Sequence, residues 1–261
     1  MQMIGQDKLI EKVFNELRNY SFPHSSMFLG DFGCGKHTIV EHICKHLGIE
    51  CIDLSNKISL DNIAEIYNSP VCRGYYVDTN TITIKEQNAI LKLLEEPCEN
   101  AYIFLLCENL SYVLPTIINR CRIYEFGAYD KNCLRSFTDS EELLKYASTP
   151  GQVLKYKDYD LSAMKSLAIN AIFKIKNANY ANILNISKSI ALKKSDTKKY
   201  DVDLFMKILL ITARDAFIAG KLSYKPYMLT HDTIIKQHNK SINNQQLFEG
   251  FLYNLKGVVV Q

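Results

Sequence analysis

Apolar residues in the first half of the chain recur at two spacings, one typical of helices and one typical of strands. Between residues 7 and 19, one helical stripe collects the side chains of Leu9, Ile10, Val13, Phe14 and Leu17. A strand is predicted at Ser25–Leu29 and a helix at 38–47. Further strands are predicted at 49–55, 74–78 and 101–109, and further helices at 60–68 and 84–96, the last ending before Pro97. This alternation predicts an α/β fold, a parallel sheet covered by helices on both faces.

After residue 126 the pattern becomes helical. Residues 128–160 predict a short connecting piece with one helix at 141–147 and a Pro-Gly break at 150–151. From about residue 162 onward only the terminal stretch 257–260 resembles a strand. Helical spacing instead relates Met164, Leu167, Ala168, Ala171, Ile172 and Ile175, and then Leu204, Phe205, Ile208, Leu209, Thr212, Ala213, Ala216 and Phe217. The chain is thus predicted to divide into an α/β core (1–127), a short segment (128–160) and an all-α domain (161–261).

Composition indicates an ordinary globular protein. The 261 residues are 47% hydrophobic and 23% charged. A chain of this length can form two or three compact units. The net charge of +3 is small and the lysines are scattered, so charge gives no independent evidence of nucleic-acid binding. No stretch approaches the roughly 20 apolar residues of a membrane helix, and the first residues carry acids where a secretion signal is apolar. We therefore expect a cytoplasmic protein without a membrane segment.

Cysteine spacing argues against a zinc site. The eight cysteines are never closer than seven residues, so no CxxC pair exists; they are Cys34, Cys44, Cys51, Cys72, Cys98, Cys107, Cys121 and Cys133. Buried reduced thiols are the simpler interpretation, because a free cysteine behaves as a small hydrophobic residue.

The stretch "GDFGCGKHT", residues 30–38, matches a phosphate-binding loop between a predicted strand and a predicted helix. In such a loop, glycines let backbone N–H groups face phosphates, the helix N-terminus adds partial positive charge, and the lysine reaches the β- and γ-phosphates. Gly30, Gly33, Gly35 and Lys36 satisfy these requirements. We therefore interpret the loop as derived from a binding site for ATP or ADP. Whether this chain still binds nucleotide stays open.

The groups that support hydrolysis are altered. His37 stands where a Ser or Thr hydroxyl ligates Mg²⁺, and Thr38 points about 100° away around the helix. Asp78 ends an apolar strand, the usual position of the carboxylate that holds Mg²⁺ through water, although a turn-capping role is the alternative. Thr79 and Asn80 follow it, where many hydrolytic enzymes have a glutamate. Poor hydrolysis is expected, and Mg²⁺ binding stays uncertain.

A longer stretch carries a family resemblance. "NAILKLLEEPCENAYIFLLCENLSYVLPTIINRC", residues 88–121, resembles the AAA+ subunits of DNA sliding-clamp loaders, most closely the delta-prime and gamma/tau type of bacterial DNA polymerase III. "IGQ" at residues 4–6 and "FPHSSMFLG" at residues 22–30 extend the resemblance over most of 1–127. It implies an AAA+ P-loop core, an abbreviated lid at 128–160, and a helical collar at 161–261 of the kind that holds five subunits in a ring.

The resemblance also implies roles for single residues. Asn119, Arg120 and Cys121 match the family's Ser-Arg-Cys, whose arginine is a finger reaching the neighbouring subunit's ATP site. A surface arginine paired with a nearby acid is the alternative. The sensor 1 position falls on Asn109 or Glu108.

The second sensor and the zinc module are absent from the pattern. Gln152 stands where the sensor 2 arginine is expected. Only 42 residues separate Lys36 from Asp78 (78 − 36), which leaves no room for the zinc module of many bacterial relatives.

These implications predict a non-hydrolysing clamp-loader subunit that contributes Arg120 in trans. The implied partners are other loader subunits in a hetero-pentameric ring, a sliding clamp, and primer-template DNA bound without regard to sequence. Two alternatives stay open. One is an ATP-hydrolysing motor subunit of a compact loader, and the other is a loader-derived module that binds replication proteins without an ATP cycle.

Overall fold

A computed structural model describes residues 4–55, 58–96, 98–174, 179–191, 201–237 and 244–259. The chain forms two compact units. The first comprises Met1–Ser140 and Ala147–Val153, and the second comprises Glu141–Tyr146 and Leu154–Gln261. Segment 128–160 of the sequence-based division therefore contributes to both units.

The first unit is built on a five-stranded sheet in which every neighbouring pair of strands is parallel. Its strand order is β2-β3-β4-β1-β5, and this sheet confirms the predicted α/β fold. The strands are β1 (Ser25–Leu29), β2 (Glu50–Asp53), β3 (Arg73–Asp78), β4 (Ala101–Cys107) and β5 (Arg122–Glu125). Strand β5 was not predicted, because Tyr124 is its only fully buried residue and its apolar pattern is correspondingly weak.

Helices cover both faces of this sheet, as the alternation of strand side chains requires. The helices of this unit are α1 (Asp7–Arg18), α2 (Lys36–Leu47), α3 (Leu60–Tyr67), α4 (Ile84–Glu95), α5 (Pro115–Ile118) and α6 (Lys131–Arg135), with a 3-10 turn at Leu110–Tyr112. On one face of the sheet Met27, Ile103 and Leu105 pack with α3, α4 and α5. On the other face Phe28 and Phe104 pack with α1 and α2. Pro97, the predicted stop of α4, lies outside the described residues.

The short segment after residue 140 differs from its prediction. The predicted helix at 141–147 is only a 3-10 turn, Leu143–Lys145, because so short a run without a side-chain cap does not sustain an α-helix. The predicted Pro-Gly break instead opens helix α7 (Pro150–Tyr156), since proline is well suited to the first helical position.

Among its described residues, the second unit has only helices as regular secondary structure. Its helices after α7 are α8 (Leu161–Ile169), α9 (Tyr180–Ala191), α10 (Val202–Ile218), α11 (Tyr224–Gln237) and α12 (Asn244–Val259), with a π-helical turn at Asn170–Lys174. Most of the predicted stripe is buried, including Met164, Ala168, Leu204 and Ile208, whereas Ile175 lies outside the described residues. The strand-like stretch 257–260 continues α12 as far as Val259, and residue 260 lies outside the description.

No helix among the described residues combines the length and apolarity needed to cross a membrane.

Candidate functional site

The glycine loop lies between β1 and α2, as the sequence predicts. The Gly30 N–H donates to the Cys107 carbonyl at 3.0 Å, which fixes the start of the loop beside β4. Gly33 and Gly35 have left-handed backbones, with φ of +76° and +102°. Gly35 precedes the first turn of α2 and no side chain caps that turn. Exposed N–H groups at a helix start favour an anion, so this geometry suits a phosphate group.

The loop lysine is bound by oxygens of its own unit. Lys36 Nζ donates to the carbonyl oxygen of Gly30 and, at 3.1 Å, to that of Asp31. The Glu108 carboxylate lies 4.0 Å from the same nitrogen, and only 10% of the Lys36 side chain is exposed. Two of the three N–H donors of this ammonium are therefore used by loop carbonyls.

A second segment, residues 148–152, packs directly on the glycine loop. The Gly151 N–H donates to the Gly33 carbonyl at 3.0 Å, and Thr149 Oγ1 donates to the Phe32 carbonyl at 2.7 Å. A Cβ placed on Gly33 would lie 2.5 Å from the Gly151 Cα, closer than any side chain tolerates. The glycine at position 33 is therefore required by a backbone contact as well as by its left-handed conformation.

The His37 side chain contacts Tyr76 of β3. Its ring meets the Tyr76 ring edge-on, with 4.5 Å between centroids. Burial, and then the nearby Asp53 carboxylate, raises the pKa of Tyr76 to about 12. Although burial alone would raise the pKa of Asp53, hydrogen bonds from the Ser55 amide and the Tyr76 hydroxyl, together with His37, hold it below its ordinary value. Thr38 lies one residue further along the first turn of α2.

Asp78 ends β3 and one of its oxygens closes a turn. Asp78 Oδ1 accepts the Asn80 N–H at 2.9 Å, while the Asp78 N–H donates to Ser55 Oγ at 2.9 Å. The Thr79 hydroxyl donates to the Leu106 carbonyl at 3.1 Å. These contacts are those of the turn-capping alternative, and they leave the second carboxylate oxygen for other contacts.

The two candidates for sensor 1 lie in different surroundings. Glu108 approaches Lys36, as described above. Asn109 Oδ1 accepts the Ser111 N–H at 2.9 Å and so caps the 3-10 turn that follows β4. Gln152, at the expected sensor 2 position, accepts the Ser148 N–H at 2.9 Å and is almost fully buried.

Arg120 lies in the turn between α5 and β5. Its Nη1 donates to the Thr116 carbonyl at 2.8 Å, and its Nη2 lies 2.7 Å from Glu95 Oε1. About a third of its side chain, 35%, is exposed. The arginine is therefore at the surface and paired with an acid. This is the geometry expected if Arg120 is an ordinary surface arginine, the alternative to an arginine finger.

Sequence reasoning missed Gln87, which joins α4 to the segment before α5. Gln87 Nε2 donates to the Tyr112 carbonyl at 2.8 Å, and its Oε1 accepts the Leu114 N–H at 2.9 Å. Its side chain is buried, on the same face of α4 as Ile90 and Leu94. A glutamine within an otherwise apolar helical stripe was the available signal, since a buried amide needs partners.

The N-terminal "IGQ" also has a structural role. Gln6 Nε2 donates to the Gly127 carbonyl at 2.9 Å, and Gln6 Oε1 accepts the Gly127 N–H at 3.0 Å. Tyr129 Oη donates to the Cys34 carbonyl at 2.6 Å. The residues after β5 thus connect the N-terminal segment to the glycine loop.

Among the described residues, no group of three or more His, Cys, Asp or Glu side chains is arranged to hold a metal ion. All eight cysteines are free thiols.

Comparison with known proteins identifies relatives in DNA replication. The family model described as "DNA polymerase III, delta subunit" matches residues 75–130. The chain is 27% identical over 180 residues to DNA polymerase III subunit tau of Bacillus subtilis, covering 54% of this chain and 32% of that protein. It is 23% identical over 236 residues to DNA polymerase III subunit gamma of Buchnera aphidicola, covering 73% of this chain and 63% of that protein. The chain thus spans less than two thirds of each of these relatives.

One solved structure among the matches is a DNA polymerase III gamma subunit-related protein from Thermotoga maritima. It is 14% identical to this chain with a TM-score of 0.43, and the match covers 95% of this chain and 99% of that one.

Proposed function

We propose that this chain, which is related to clamp-loader subunits of the gamma, tau and delta-prime type, is itself a clamp-loader subunit in DNA replication. In this proposal it does not hydrolyse ATP at its own loop, and it contributes Arg120 to the ATP site of a neighbouring subunit. The observation that carries the proposal is a contrast. The loop lysine donates to two carbonyl oxygens of its own loop and only 10% of its side chain is exposed, whereas 35% of the Arg120 side chain is exposed.

The loop fits a phosphate better than it fits Mg²⁺. The left-handed glycines and the uncapped start of α2 suit a phosphate, so Gly33, Gly35 and Lys36 would hold ATP or ADP. His37 supplies nitrogen where Mg²⁺ prefers oxygen, and its ring lies against Tyr76. Bound ATP would supply a γ-phosphoryl group, but position 37 of this loop lacks the hydroxyl that orients the metal. Nucleotide held without turnover is therefore part of the proposal.

Arg120 would act by charge. A guanidinium that arrives from a neighbouring subunit neutralises negative charge developing on the γ-phosphate in the transition state. Arginine suits this task because its charge is permanent and its N–H groups match phosphate oxygens. The partly exposed Arg120 side chain is compatible with such a contact.

The proposed partners follow from the same relationship. They are other loader subunits, a sliding clamp and primer-template DNA, with the helical second unit acting as a collar for assembly. DNA contact would involve phosphates and would weaken with salt, because phosphate contacts release counterions. No side chain is assigned to DNA.

ATP turnover by the chain reconstituted with the loader subunits that co-purify with it tests the role of Arg120. The other sites are first inactivated through their own phosphate-loop lysines, so that turnover reports on the site adjoining Arg120. Arg120→Ala is expected to lower that turnover by roughly 10³- to 10⁵-fold. Arg122→Ala is the matched control, since Arg122 is also exposed and paired with an acid, Glu16. A fall of less than tenfold for Arg120→Ala would contradict the proposal.

The phosphate-compatible geometry of the glycine loop supports a second candidate function, an active ATPase subunit. In that case Lys36→Ala alone would abolish hydrolysis at one site of the assembly, because the loop lysine contacts the β- and γ-phosphates. A chain that binds no loader subunit in a pull-down would instead favour the third alternative, a binding module without an ATP cycle.

A further inference from the structure

Two motifs that are separate in sequence meet at one ion pair. Glu95 is the last residue of α4, and Arg120 follows α5. The Arg120 guanidinium is held at two of its three nitrogens, by Glu95 at 2.7 Å and by the Thr116 carbonyl at 2.8 Å. Because a guanidinium is planar and has five N–H donors, these two contacts fix its orientation and leave one edge with donors for another partner.

The carboxylate comes from a well-anchored helix. Eight residues before Glu95, about 12 Å along α4, the Gln87 amide is bonded to both Tyr112 and Leu114. At the other end of α4 the Tyr67 hydroxyl donates to the Lys92 carbonyl at 2.8 Å. The position of Glu95 is therefore set by contacts at both ends of its helix.

We propose that Glu95 is a positioning residue for Arg120, holding the guanidinium so that its free edge faces a γ-phosphate brought by a neighbouring subunit. This inference rests on the proposed function of Arg120. A long arginine side chain loses considerable rotamer freedom when it is fixed. The Glu95 contact fixes it before the neighbour arrives, which is the general benefit of preorganisation.

A double-mutant cycle on ATP turnover tests the inference. It uses the reconstituted complex described above, with Glu95→Ala, Arg120→Ala and the double variant. Glu95→Ala is expected to lower kcat about tenfold with little change in KM for ATP, since misplacing a catalytic group affects the chemical step. Glu95→Asp should fall between Glu95→Ala and wild type. In the Arg120→Ala background, Glu95→Ala should add no further loss, because Glu95 would act only through Arg120.

Glu96→Ala is the control for a lost charge at the end of α4 and is expected to change turnover less than twofold. Thermal unfolding of each free variant checks that the fold persists. In the free chain, NMR of the Arg120 side chain provides a second readout, and Glu95→Ala is expected to speed rotation of its guanidinium group.

The outcomes separate the inference from the proposed function. A large loss for Arg120→Ala with none for Glu95→Ala would overturn the inference and leave the proposed function standing. An equal loss from Glu95→Ala in both backgrounds would also overturn it, since Glu95 would then act independently of Arg120. Unchanged rotation of the Arg120 guanidinium in Glu95→Ala would overturn the inference as well. No loss from Arg120→Ala would overturn both.

Discussion

The glycine loop and the Arg120 turn belong to the same unit, but their cationic side chains are held differently. Lys36 is nearly buried and contacts two loop carbonyls and Glu108. Arg120 is partly exposed and contacts one carbonyl and one carboxylate. A sequence match to a nucleotide-binding loop therefore does not establish which groups its lysine contacts.

The largest effect is expected where residues 148–152 pack on the loop. Gly33→Ala combines a left-handed backbone with a clash against the Gly151 backbone, and we expect it to lower the free energy of unfolding by about 3–5 kcal/mol. Gly48→Ala is the matched control, because its φ is +68° but nothing lies within 4 Å of the added Cβ. It should cost only about 1 kcal/mol. Equal losses in denaturant unfolding of the two variants would show that the loop contact is absent.

A smaller loss of stability is expected from changing Gln87, which anchors the helix that carries Glu95, the partner of Arg120. Gln87→Leu leaves the Tyr112 carbonyl and the Leu114 N–H without their amide partner and should lower the free energy of unfolding by about 2 kcal/mol. Asn88→Leu, at the next and exposed position, should change it by less than about 0.5 kcal/mol. Denaturant unfolding measures both. A Gln87→Leu variant as stable as Asn88→Leu would remove the proposed anchor of α4.

Restoring a hydroxyl at position 37 tests whether this residue limits metal binding. His37→Thr should strengthen Mg²⁺-dependent ATP binding about tenfold, equivalent to about 1.4 kcal/mol, because an oxygen ligand returns to the start of α2. His42→Thr, further along α2, should leave binding unchanged. Isothermal titration with and without Mg²⁺ measures the difference. If His37→Thr behaves like His42→Thr, the histidine does not limit metal binding.

The smallest effect is expected on the stability of the fold at low pH, through the carboxyl group of Asp53. The pKa of Asp53 is held below its ordinary value of 3.8. Burial opposes this shift, but the hydrogen bonds from Ser55 and Tyr76, together with His37, outweigh it. A lowered folded-state pKa means that the stabilisation is complete above the unfolded value and is lost as pH falls below it. Asp53→Asn should therefore flatten the pH dependence of unfolding below about pH 4. The same acid dependence in the variant would contradict the assigned contacts.

Much of the fold followed from local patterns, because burial imposes a spacing on each strand and helix. The strands before β5 and helices α1 to α4 were predicted from these spacings. Strand β5 was not, since most of its residues are not fully buried. The Pro-Gly pair at 150–151 predicts a break although it begins helix α7, because proline ends helices in some positions and begins them in others.

The candidate site was predictable as residue types but not as contacts. The glycine pattern located the loop, yet the approach of Gly151 to Gly33 joins residues more than a hundred positions apart. Likewise, the pairing of Glu95 with Arg120 depends on how α4 and α5 pack, which no local spacing reveals. Long-range contacts of this kind determine whether a side chain is free or already bound.

One measurement tests this contrast most sharply: ATP turnover by a reconstituted complex in which only this chain's own loop and the site adjoining Arg120 are left intact, carrying either Lys36→Ala or Arg120→Ala. Lys36→Ala is expected to stay within about twofold of wild type, while Arg120→Ala is expected to lose roughly 10³-fold or more. The opposite ranking, with hydrolysis abolished by Lys36→Ala and unaffected by Arg120→Ala, would contradict the proposed function.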